Sequence, residues 1–152
     1  MKKLSTSKSI DWVRLAIGAI ITALFIIFSN KFYELLYYNG EFSNEMYNEK
    51  LYTVVAIYTS SICWGMALLF YWIIDRLDRW FYWIISLFIV MALSPTVVYY
   101  YCDSVFRENN MDMLTIPLKN FDIINLAVTF VLYLIVCFSV KKLSRNCSTT
   151  PI

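Results

Sequence analysis

Residues Tyr71–Ile85 read YWIIDRLDRWFYWII, with four charges (Asp75, Arg76, Asp78 and Arg79) set within five positions between two apolar runs. Three readings compete: a catalytic cluster, a charged ring at a pore, or the place where a membrane-crossing chain turns back. Length decides among them. A single helix from Leu51 to Cys102 would be about 78 Å long at 1.5 Å per residue, far beyond the ~30 Å of bilayer hydrocarbon. The chain has to reverse, and residues 75–79 are the only polar place in that stretch to do it. Asp75 and Arg79 sit at attractive helical spacing, and neither a nucleophile nor a base stands beside them. The segment is therefore read as a short solvated hairpin, with docking of a partner protein as its sharper alternative.

Working outward, composition agrees with a membrane frame. Of 152 residues, 60% are hydrophobic and only 16% charged, whereas soluble domains carry about 25% charge. A chain this short cannot enclose so much apolar surface in a water-soluble core. The net charge of +2 is too small to argue for nucleic-acid binding.

Four windows are long enough to cross hydrocarbon: residues 12–30, 51–74, 80–102 and 121–140. They contain no Lys or Arg except Arg14 and no acid except Asp122. Backbone groups in lipid must be satisfied within the segment, so each window is predicted helical. The expected fold class is all-α, an integral membrane four-helix bundle forming a single domain over residues 1–152. The opening MKK and the apolar run after it imitate a secretory leader, but the run ends in Phe28-Ser29-Asn30-Lys31 with no small-x-small cleavage site, which predicts an uncleaved first span.

Orientation follows from the cations. Lys2, Lys3, Lys8 and Arg14 precede or open span one, Arg76 and Arg79 lie between spans two and three, and Lys141, Lys142 and Arg145 follow span four. The other two connections, 31–50 and 103–120, hold Lys31, Lys50, Arg107 and Lys119. These are outnumbered by Glu34, Glu41, Glu45, Glu49, Asp103, Glu108, Asp112 and Asp122. The positive-inside rule then places both termini in the cytoplasm. Trp12, Trp72, Trp80 and Trp83 fall at the inner interface. Tyr33, Tyr37, Tyr38, Tyr47, Tyr52, Tyr99, Tyr100 and Tyr101 fall at the outer one, as aromatic belts do. Outside, KFYELLYY (31–38) is expected to prolong the first helix, Asn39-Gly40 to turn, and Ser43-Asn44 to cap a helix leading into span two. A helical hairpin above the outer leaflet results, while 103–120, with Asn109-Asn110 and Pro117, is expected to be less regular.

Inside the membrane no ionisable residue is committed to mid-depth, and the chain has no His. Proton relays and ion-coupled carriers usually keep such residues. No HExxH, GxSxG, phosphate-loop or GxGxxG pattern occurs. Cys63, Cys102, Cys137 and Cys147 are too scattered to form a redox pair or a metal site; Cys102, at the outer end of span three, is alone on that side, as a free thiol or an intermolecular bridge. The expectation is a protein without catalytic residues, cofactor or metal. What remains is polar seams. Asn125, Thr129, Tyr133 and Cys137 share one helix face at i+4 spacing; Ser60, Ser61, Trp64 and Gly65 fall mid-depth in span two; Ala16, Ala19 and Ala23 offer a small face in span one. Such residues let membrane helices approach and share hydrogen bonds, with a water-lined pathway in an oligomer as the alternative. Ser94-Pro95 should kink span three.

Usage rich in Phe, Tyr, Met, Ile, Asn and Lys suits an AT-rich bacterial gene and so an inner membrane. In chain length, span number and short cytoplasmic tails the chain resembles the small four-span membrane subunits of bacterial anti-phage systems such as Kiwa. That resemblance transfers no residue roles. It implies a cytoplasmic partner protein, self-association in the membrane and a response to phage. A membrane immunity protein against a toxin and a small channel former share the same outline. The reading is a non-enzymatic membrane subunit surrounded by lipid and working through protein contacts, with Arg76, Arg79, Lys141, Lys142 and Arg145 as candidate partner contacts. The alternative is a homo-oligomeric pore lined from Ser60, Ser61, Asn125, Thr129 and Tyr133.

Overall fold

The computed structural model describes residues 12–73 and 80–141, so the predicted turn at 75–79 lies outside them. Every regular element in these residues is helical: α1 Trp12–Ile27, α2 Ser29–Leu36, α3 Gly40–Asn48, α4 Leu51–Leu68, α5 Trp80–Glu108 and α6 Thr115–Val140. A π-helical turn, Leu69–Ile73, prolongs α4, and a 3₁₀ turn, Asp112–Leu114, leads into α6. The stretches Leu51–Tyr71, Trp80–Glu108 and Thr115–Val140 are each long and apolar enough to cross a membrane. The α1–α2 pair makes a fourth crossing only if it is counted as one broken span.

That break departs from the expected straight extension of helix one. Phe28 leaves helical geometry at φ −97°, ψ 13°, and α2 turns away from α1 by 73°. Ser29 and Asn30 follow, both of which compete with the backbone for hydrogen bonds and weaken a helix interior. The Ser29 hydroxyl is instead directed to Thr53 Oγ1 on α4, at 3.4 Å. The outer hairpin does not stand clear of the bundle either. Tyr33, Phe42 and Met46 from α2 and α3 are fully buried against Tyr52, Phe106 and Phe121 from α4, α5 and α6.

Helix α3 begins earlier than the Ser43-Asn44 signal implied. Asn39 occupies the extended N-cap position, and the Ser43 side chain, one turn in, reaches back to accept its backbone N–H at 3.0 Å. Nor does α3 run on into α4. Lys50 breaks the chain with left-handed backbone, φ 55°.

The second outer segment is more regular than expected. Helix α5 continues to Glu108 and then closes with Asn110 in the left-handed region, φ 58°. Asn110 N–H bonds Arg107 O at 3.1 Å and Met111 N–H bonds Phe106 O at 2.8 Å, the paired bonds of a Schellman cap. Pro117 sits in the first turn of α6, where its missing N–H has no intrahelical partner to lose. At 29 residues, α5 is about 44 Å long. It therefore exceeds the predicted window 80–102, and it passes through Pro95 as one helix.

Helices α1, α4 and α5 all pack on α6. Half of the most apolar stretch of α6 is buried, against 39% for α4 and 33% for α5, which makes α6 the central helix. The apolar core falls into two clusters. One joins Tyr33, Phe42, Tyr52, Val98, Phe106 and Phe121 at the end holding α2 and α3; the other joins Cys63, Tyr71, Trp83, Val90, Val136 and Val140 at the far end. Glu34, Glu41, Glu45, Glu49, Asp103, Glu108 and Asp122 all lie toward the first end, called here the acidic end.

A polar layer across the bundle as candidate functional site

Between the two clusters lies a layer of polar side chains. On α4 the first cluster ends at Ala56 and the second begins at Cys63, with Thr59 and Ser60 between. On α5 Ser94 separates Val90 from Val98, and on α6 Thr129 separates Val128 from Leu132. Asn125, Thr59, Ser94 and Thr129 are all at 0% exposure. In an apolar interior such groups cost free energy unless hydrogen-bonded.

They bond largely to one another. Asn125 Oδ1 accepts from Tyr33 Oη at 2.7 Å and from Thr59 Oγ1 at 3.3 Å. Thr129 Oγ1 donates to Asn125 O one turn back at 2.7 Å, and Ser94 Oγ donates to Thr59 Oγ1 at 3.3 Å. Ser94 also stands 3.2 Å from Thr129 Oγ1. Each hydroxyl has one proton to give. With the Thr129 proton on the Asn125 carbonyl, the Ser94 proton is shared between Thr59 and Thr129. The layer thus joins α2, α4, α5 and α6. Within this layer Asn125 Nδ2 and Ser60 Oγ have no hydrogen-bond partner.

Two smaller polar joints flank the layer. Toward the far end Ser86 Oγ donates to Trp83 O at 2.7 Å and meets Tyr133 Oη at 2.8 Å, so the Tyr133 proton links α6 to α5. On α1, Trp64 Nε1 of α4 donates to Thr22 Oγ1 at 3.0 Å, while Thr22 donates to Gly18 O. Gly18 lies so close to α6 that an added Cβ would stand 2.6 Å from Ser139 Cβ. The packing face of α1 is therefore Gly18 and Thr22. Ala16, Ala19 and Ala23, the small face expected from the sequence, are exposed.

The other sequence candidates divide. Asn125, Thr129 and Tyr133 are fully buried and meet partners on neighbouring helices. Ser60 is buried within the bundle, whereas Ser61 is exposed on its surface. Lys141 follows α6 half-buried; Arg76, Arg79, Lys142 and Arg145 lie outside the described residues. Cys102, like Cys63 and Cys137, is a buried free thiol, so it has no surface from which to bridge two chains. Tyr33 and Tyr52, assigned to the outer belt, are core residues, whereas Tyr38, Tyr47 and Tyr100 are exposed as a belt requires. At the inner belt Trp12 and Trp80 are exposed and Trp83 is buried.

The sequence reading missed Tyr33, Thr59, Ser94 and Ser86 as members of the polar joints. A signal existed for Thr59: Ala56, Thr59, Ser60, Cys63 and Ala67 form a run of small residues at three- and four-residue steps on α4, the spacing of a helix-packing face. No such signal marked Tyr33, because its inward direction depends on the bend at Phe28.

Chemically the layer offers hydroxyls and one amide, groups that fix helix register and rotation. At the acidic end Arg107 pairs with Asp103 at 2.8 Å, but the arginine is mostly exposed and such pairs contribute little. Among the described residues no three His, Cys, Asp or Glu side chains are grouped to hold a metal ion. No protein-family model matches the chain, and no curated protein or solved structure matches it.

Proposed function

We propose that the protein is a non-enzymatic, multi-pass subunit of a bacterial inner membrane, with both termini in the cytoplasm, that acts through contacts with other proteins. The observation that carries this reading is the polar layer itself. Tyr33, Thr59, Ser94, Asn125 and Thr129 spend most of their hydrogen-bonding capacity on each other, as residues that specify one helix arrangement do. A scaffold needs that uniqueness, because a partner reads a fixed surface. The partner surface is assigned to the cytoplasmic charges Arg76, Arg79, Lys141, Lys142 and Arg145, which would set encounter and specificity. Similarity in size and span number to anti-phage membrane subunits extends the proposal to a defence role with a cytoplasmic partner and self-association.

A pore is the second reading, and one observation favours it: Asn125 Nδ2 and Ser60 Oγ are buried without partners, which is how groups stand when water completes them. One pair of experiments separates the two. Arg76→Glu with Arg79→Glu should abolish co-purification of a cytoplasmic partner. Arg76→Gln with Arg79→Gln is run beside it, and topology is checked in both, since these charges also orient the chain. Purified protein alone in liposomes should pass no ions. Conductance without a partner, indifferent to those arginines, would overturn the scaffold reading in favour of the pore.

A further inference from the structure

We infer that α2 is an interfacial helix, its outward face of Phe32, Leu35 and Leu36 seated among the lipids of the leaflet at the acidic end. This rests on the membrane reading above. Direction is the first support. Helix α1 packs beside α4 and α6, and α2 is bent from it by 73°. A helix at that angle to one that crosses the bilayer runs nearly along its surface.

Depth is the second. Tyr33 of α2 stacks on Tyr52, with ring centroids 5.9 Å apart, and its ring lies 5.1 Å from that of Phe121. Ser29 Oγ is directed to Thr53. Tyr52 and Thr53 stand in the first turn of α4, at the start of the apolar stretch Leu51–Tyr71, and Phe121 opens the apolar window 121–140 of α6. Helix α2 therefore sits at the level where two spans pass from polar to apolar, the boundary between headgroups and acyl chains.

The third is which way the side chains face. Helix α3, next in the chain, buries Phe42 and Met46 and exposes Glu41 and Asn44, as a helix beside water does. Helix α2 is reversed. Its buried Ser29 and Tyr33 direct their hydroxyls inward to Thr53 and Asn125, while Leu35 is 85%, Leu36 44% and Phe32 40% exposed. An interfacial helix buries such a face in the headgroup–acyl boundary. The apolar surface also continues without a break into α1 through Phe28 and Ile27, both exposed. Lys31, exposed on α2, has an aliphatic stem long enough to lift its amine toward water. A second copy is a poor match for three side chains on two turns, because a standard interface buries about 800 Å² on each partner. Lipid is the occupant.

The test uses the full chain in phospholipid nanodiscs, in a Cys147→Ser background that leaves the buried Cys63, Cys102 and Cys137. A nitroxide is attached through Leu35→Cys, Asn44→Cys or Phe88→Cys, one at a time; Phe88 is exposed within the apolar part of α5. Collisions with oxygen, which concentrates in lipid, are compared with those of a water-soluble nickel chelate. The Leu35 and Phe88 labels should favour oxygen and the Asn44 label the chelate, and Phe32→Cys should repeat the Leu35 result on the same face. A Phe88 label open to the chelate would remove the membrane reading, and the inference with it. With Phe88 in lipid, a Leu35 label as open to the chelate as the Asn44 label overturns the inference alone. So does spin–spin broadening at Leu35, or its protection from both reagents, which would show a second copy or another protein covering α2.

Discussion

Tyr33 and Asn125, 92 residues apart in the chain, meet in a 2.7 Å hydrogen bond inside the bundle. The bond ties the bent α2 segment to the central helix and closes one side of the polar layer. It forms because α2 turns by 73°; a straight helix would carry Tyr33 beyond the core.

The coupling between these two residues is measurable. Tyr33→Phe should lower stability in detergent by about 1 kcal/mol, the usual net worth of a hydrogen bond. Asn125→Leu should cost somewhat more, since it strands the hydroxyls of both Tyr33 and Thr59. The double variant should lose less than the sum, because each single change already breaks the same bond. Strict additivity in the thermal melts would show that the two side chains do not interact in the folded protein.

Gly18 supplies the close approach of α1 to α6. Gly18→Ala places a methyl against Ser139 and should destabilise by about 1–3 kcal/mol, the range for overpacking. Adding Ser139→Gly should recover most of that loss. If Gly18→Ala melts with wild type, α1 is not packed at this position.

Lys50 holds left-handed backbone between α3 and α4. For a residue with a Cβ that costs roughly 1–2 kcal/mol; a glycine there relieves this strain but loses about 0.4–1 kcal/mol through its freer unfolded state. Lys50→Gly should therefore raise the melting temperature slightly, while the β-branched Lys50→Val should lower it. The reverse order would place the turn elsewhere.

Cys102 should resist a maleimide reagent in the folded protein and react after denaturation, because its side chain is fully buried. Rapid labelling in intact membranes would contradict the packing of α5 against α4 and α6.

Orientation is open to a direct check. A reporter active only in the cytoplasm should work at the C-terminus or near Leu77 and fail near Gly40 or Asn110. The opposite pattern would reverse the assignment made from Lys and Arg.

The amino-acid sequence by itself determined that the chain is helical and where its long apolar helices lie. It also placed Asn125, Thr129 and Tyr133 on one face. Both follow from local rules: apolar runs of this length satisfy their backbone groups only within a helix, and 3.6 residues per turn puts i and i+4 together. The helix ends were less legible. The Schellman closure at Asn110 and the start of α6 before Pro117 carried α5 and α6 past their apolar windows, into residues that composition alone reads as loop. Only the tertiary structure decided which small face of α1 packs, Gly18 and Thr22 rather than Ala16, Ala19 and Ala23. It alone also brought Tyr33, Thr59 and Ser94 to Asn125. These depend on how helices far apart in the chain rotate and bend against each other, and no residue's own neighbours in sequence encode that angle.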